Sequence, residues 1–149
     1  MTPAAPQPQR QAPVAAWIAQ MIGTLVLAAA VLYFVRSSGI SFAEGDPEWQ
    51  RYAMLGILAG IAPALLYLRT FKPALDADEA AIAKRGAPDP AARTRLMRTL
   101  AIGGALCEIP MAMGVVQLLL GGETRWFLGA TLVTIALRLS YRPFTRQRR

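Results

Sequence analysis

Glu108 is the residue in this chain best placed to do chemistry: a carboxylate inside a long apolar run, with Pro110 two residues further on. A carboxylate can hold a cation, pass a proton or act as a general acid or base. An apolar setting penalises its charged form, which suits a group that binds and releases protons near neutral pH. The rest of the inventory is sparse. The 149 residues include no histidine and a single cysteine, Cys107. That excludes zinc fingers, haem ligation by histidine, Cys–His nucleophilic pairs and intramolecular disulfides. Cys107 reads as a packing residue. Asp76, Asp78 and Glu79 lack metal-ligand companions and read as a solvated face. No Ser–Lys pair, paired aspartates or phosphate-cradling glycine loop stands out. The expectation is a protein that is not an enzyme, with no catalytic residues, no metal and no cofactor.

The elements that must position Glu108 are apolar and long. Leu100–Leu120 is a run of 21 residues, enough to cross a hydrocarbon core of ~30 Å. An ionisable group at its middle costs roughly 2.5–3.5 kcal/mol on insertion scales, so it must be buried in protein, paired or used. The chain is 54% hydrophobic and only 17% charged, against roughly a quarter charged in soluble domains, and its charges lie in blocks between apolar runs. The predicted fold is all-α: a polytopic membrane protein of four transmembrane helices, spans near 14–35, 51–68, 100–120 and 126–141, with both termini cytoplasmic. A disordered tail over 1–13, a cytoplasmic connector over 69–98 and a basic tail over 142–149 complete the division. The first run continues past Ala28-Ala29-Ala30 and so reads as a retained helix rather than a cleaved leader. Within the connector, Pro73–Ala83 predicts a short surface helix that starts at Pro73 and is capped by Gly86. Asp46-Pro47 and Asp89-Pro90 each predict an N-cap followed by a first-turn proline.

Orientation follows the basic residues. Arg36, Arg51 and Arg125 are the only three of 16 in the first and third loops; the other thirteen lie in the N-terminal tail, the long connector and the C-terminal end. Trp49, Tyr52, Tyr67, Trp126 and Tyr141 fall where aromatic anchors meet the interface. Arg138, in the last turn of the fourth run, is expected to snorkel to the headgroups. Arg142, Arg146, Arg148 and Arg149 form a membrane-surface patch that anionic lipid attracts at ~1 kcal/mol per residue. The net charge of +7 then belongs to lipid-facing loops and not to nucleic-acid binding. The lysine-poor, Ala- and Gly-rich composition suggests a bacterial source and its inner membrane.

On its own helix Glu108 shares a face with small residues, including Ala101, Gly104, Ala105 and Ala112, so it should point into a helix–helix contact. Ten residues from Arg98 place it ~15 Å deep. Gln20, Thr24, Thr131 and Thr134 are the polar partners at comparable depth. Gly56, Gly60 and Gly104 predict close helix packing. Pro63 and Pro110 predict kinks, and Pro110 leaves the Leu106 carbonyl without its helical donor.

Ala105-Leu106-Cys107-Glu108-Ile109-Pro110, with Gly114 downstream, resembles a widespread type of bacterial four-helix inner-membrane protein whose third helix carries Ala-Leu-x-Glu-x-Pro. The resemblance implies the architecture and supplies no activity. Over about a tenth of the chain, Glu108, Gly114 and Val115-Val116 are similar to the ion-binding helix of rotary ATPase proteolipid (c) subunits, and under that likeness Glu108 matches the ion-carrying carboxylate. The second helix departs from it, having Gly56 and Gly60 in place of a long glycine alternation. Two functions are therefore carried forward. One is a structural or accessory component that packs in the membrane through a buried Glu108, where Glu108→Gln should leave folding and partner binding nearly intact. The other is a proton- or cation-handling protein with Glu108 as the exchangeable site. The expected partners are the lipid bilayer and a second copy or another membrane complex.

Overall fold

Local chemistry sets the helix ends in the computed structural model, which describes residues 11–38 and 47–143. The described residues are all-helical: α1 Gln11–Ser37, α2 Pro47–Ala59, α3 Ile61–Arg85, α4 Pro90–Cys107, α5 Ile109–Leu119 and α6 Thr124–Ser140. Asp89 is extended and accepts from the Ala92 N–H at 3.1 Å, with Pro90 opening the helix, so the α4 start is as the sequence predicts. Gly86 ends α3 at φ 70°, its N–H donating to the Ile82 carbonyl; this left-handed cap favours glycine. Asp46 lies outside the described residues.

Both prolines act where expected. Pro63 has no N–H for the Ala59 carbonyl, and the second rod breaks at Gly60, between α2 and α3. Pro110 does the same to Leu106, and the third rod breaks at Glu108, whose own N–H turns to Ala105 at 3.1 Å. The two breaks meet. A Cβ on Gly60 would lie 2.8 Å from Ile109 Cγ2 and 3.2 Å from the Pro110 nitrogen, so hydrogen at that position lets the kinked rods cross closely. Gly56 likewise faces Met113. The rods run antiparallel, α2 on α5 and α3 on α4.

The connector differs from expectation. Pro73 does not start a separate surface helix; it lies inside α3, which runs unbroken from Ile61 to Arg85. Packing of Phe71, Ala74 and Leu75 into the core carries the helix past one missing donor. Gln11–Ser37, Pro47–Arg85 and Pro90–Leu119 are each long and apolar enough to cross a membrane. The fourth, α6, has 17 residues and brackets its apolar part with Arg125 and Arg138.

Packing divides into two apolar clusters. Ala64, Phe71, Leu75, Leu96, Leu100, Cys107, Leu137 and Tyr141 form one, with Cys107 fully buried as a packing residue. Ala28, Met111, Leu118 and Phe127 form the other. The Glu108 break falls between Cys107 and Met111, at the seam. Tyr141 is not an exposed anchor: its hydroxyl donates to the Ala64 carbonyl, its ring lies 5.1 Å from that of Phe71, and it fills the space beside Gly103. Trp49, Tyr52 and Trp126 are exposed.

Candidate functional site

Three helices converge on Glu108. The helix break puts Glu108 at the end of α4, where its side chain bonds to α1 and α6. Thr24 of α1 donates its hydroxyl to Glu108 Oε1 at 2.8 Å. Arg138 of α6 donates from Nη2 to the same oxygen in an ion pair. Gln20, one turn before Thr24, accepts from Arg138 Nη1 through its side-chain oxygen at 3.0 Å. Trp17, one further turn back, donates its indole N–H to the Arg138 carbonyl at 2.9 Å. Trp17, Gln20 and Thr24 thus form one face of α1 at helical spacing. The Thr24 hydroxyl also lies 3.0 Å from the Gln20 carbonyl, and its single proton serves both acceptors.

Arg138 corrects the sequence reading. It does not reach outward; only 5% of it is exposed, because it lies on the same face of α6 as Thr131, Thr134 and Leu137, which is turned inward. The partners predicted for Glu108 are sorted by this residue. Thr24 reaches the carboxylate. Gln20 is in the cluster but bonds to Arg138. Thr131 donates to the Phe127 carbonyl of its own helix at 2.9 Å. Thr134 is fully buried, and its hydroxyl has no partner. Gly104 makes room as expected: a Cβ there would stand 2.6 Å from Gln20 Oε1.

The pairing is lopsided. Glu108 Oε1 takes both the hydroxyl and the guanidinium, while Glu108 Oε2 and Arg138 Nε are buried without partners. A fork-on-fork arrangement would have used both oxygens. Glu108 keeps 31% of its side-chain exposure against 6% for Arg138, so the carboxylate is at the edge of the packed helices and the guanidinium inside them. Chemically, the arrangement neutralises a carboxylate with a fixed cation and joins α1 to the α4–α5 rod and α6. Among the described residues no group of three metal-ligating side chains comes together.

A second correction concerns Asp78. It is 3% exposed rather than solvated, and accepts from Arg93 Nε across the α3–α4 hairpin at 3.0 Å. Asp76 lies on the exposed side of α3. Arg142 is exposed; Arg146, Arg148 and Arg149 lie outside the described residues. Sequence reasoning missed Arg138 and Trp17. The signal for Arg138 was present: one unpaired acid in one apolar run and one base in another call for each other. Comparison with known protein families, with curated proteins and with solved structures gives no match.

Proposed function

We propose that this protein is a structural or accessory component of a bacterial inner membrane, in which Glu108 and Arg138 act as a fixed clamp. The observation that carries the reading is the ion pair itself. A carboxylate that must exchange a cation needs that place vacant, and here a guanidinium from the same chain fills it. Removing two such charges from water is costly, and their attraction offsets the cost only when other hydrogen bonds support them; Thr24 and Gln20 are that support. The membrane setting is supported by the three long apolar helices and by exposed Ile22, Leu25, Val26, Leu58, Leu66 and Leu132. The cytoplasmic orientation of both termini is supported by charge. Arg69, Lys72, Arg95, Arg98 and Arg142 gather at the end where α1 begins and α6 finishes.

The alternative, proton or cation handling at Glu108, has one observation in its favour: Oε2 is buried and unpartnered. A group with a free lone pair in a closed site can take up a proton. The two readings separate in reconstituted vesicles. The clamp predicts no ion movement from the wild-type protein and loss of stable assembly in Glu108→Gln, since an uncompensated Arg138 is left behind. Ion movement that Glu108→Gln abolishes while assembly persists would overturn it.

A further inference from the structure

The arginines near the α3–α4 turn divide into two kinds. Arg85 pairs with Asp89 and Arg93 turns inward to Asp78. Arg95 and Arg98 are exposed and engage no acid among the described residues. Nor does their own helix offer one, because no Asp or Glu occurs between Asp89 and Glu108.

Pro90, Ala91, Thr94, Arg95 and Arg98 follow one another at i, i+1, i+4, i+5 and i+8, a single helix face. Together they line an open concavity of about 520 Å³. The buried side of α4, with Leu96, Thr99, Leu100 and Gly103, points the opposite way, so the concavity faces outward. The Asp89 carboxylate caps the first turn of α4, but the outward face beyond it carries Arg95 and Arg98 and no carboxylate. Guanidinium forks match phosphate oxygens in geometry. Thr94 already donates to the Pro90 carbonyl at 2.9 Å, so the two arginines are the donors that face outward.

Position selects the source of the phosphate. Arg98 stands two residues before Leu100, where the 21-residue apolar run begins, or ~3 Å along the axis. In a spanning helix that is headgroup level. We propose that this outer face of α4 binds the phosphate of an anionic phospholipid between Arg95 and Arg98. The proposal rests on the membrane reading above.

The test is lipid retention by the full chain, purified in mild detergent, exchanged into nanodiscs of mixed phosphatidylglycerol and phosphatidylcholine, and analysed by native mass spectrometry. Wild type should carry phosphatidylglycerol preferentially. Arg95→Gln and Arg98→Gln should each weaken that preference about fivefold, and the double variant about twenty-five-fold. Arg125→Gln, at the opposite end, should not. Equal retention by wild type and the single variants would overturn the proposal. So would displacement of the lipid by millimolar inorganic phosphate, which would assign the face to a free anion. Resistance of wild type to carbonate extraction from membranes reports on the membrane reading separately: a protein that extracts fails that reading, whereas one that stays but shows no lipid preference fails only this proposal.

Discussion

Among the described residues, two ion pairs join separate helices, Asp78–Arg93 and Glu108–Arg138, and their surroundings differ. Asp78–Arg93 closes the α3–α4 hairpin near its turn, beside the Gly86 and Asp89 caps. It lies beside a polar turn, with both side chains largely buried. Glu108–Arg138 lies at the seam between the two apolar clusters, with buried polar atoms on both partners left unsatisfied. The first reinforces a turn that local sequence already specifies. The second ties α1 to α4 and α6; beyond it α1 packs mainly through Ala28, Val31, Leu32 and Val35, and most of its apolar surface is exposed. An ion pair matters most where its neighbours cannot replace it.

That difference can be broken from the Glu108 side first. Arg138→Met removes the cation and leaves a carboxylate at an apolar seam. The expected loss is ~3–5 kcal/mol in unfolding free energy in detergent. Adding Glu108→Leu should restore most of the loss, because an apolar pair of similar volume is often neutral or better. A double variant as unstable as the single one would remove the pair from the account. Gly103→Ala comes next. Its Cβ would stand 2.2 Å from Tyr141 Cε1, so the ring must shift and give up its bond to the Ala64 carbonyl. Overpacking of this kind costs ~1–3 kcal/mol, read as a lowered Tm.

The hairpin pair should yield less. Asp78→Asn keeps the shape and an acceptor for Arg93, and ~1–2 kcal/mol is expected for the lost charge-assisted bond. A loss as large as that of Arg138→Met would abolish the contrast. Smallest is Thr24→Val, which deletes one hydrogen bond to Glu108 while keeping the volume. About 1 kcal/mol is expected, and detachment of α1 should show as faster protease cleavage between α1 and α2.

Much of this architecture was legible because short-range chemistry decides it. Asp89-Pro90, Gly86, Pro63 and Pro110 act within a turn of themselves, and each marks a helix end or break where the sequence places one. The failures are all long-range. Pro73 looks like a helix start, but the packing of Phe71, Ala74 and Leu75 carries α3 through it. Asp78 looks solvated until α4 folds back and delivers Arg93. Arg138 looks like an interfacial residue because it is three residues from Tyr141, yet Tyr141 itself is buried against Phe71, and that draws the last turn of α6 inward. Once Arg138 is inside, Glu108→Gln is no longer the mild change that a lone buried acid would permit.

If Glu108 and Arg138 form a fixed clamp, Arg138 permanently occupies the place an exchangeable ion would need. Carbodiimide labelling of Glu108 in native membranes, read by mass spectrometry across pH with and without sodium, tests it most directly, because such reagents modify a protonated carboxyl in an apolar site. A fixed clamp gives no labelling of the wild type at any pH between 5 and 9, no effect of sodium, and labelling that appears in Arg138→Met. Labelling of the wild type that rises as pH falls and is blocked by sodium would contradict it, and would make Glu108 an ion-binding site.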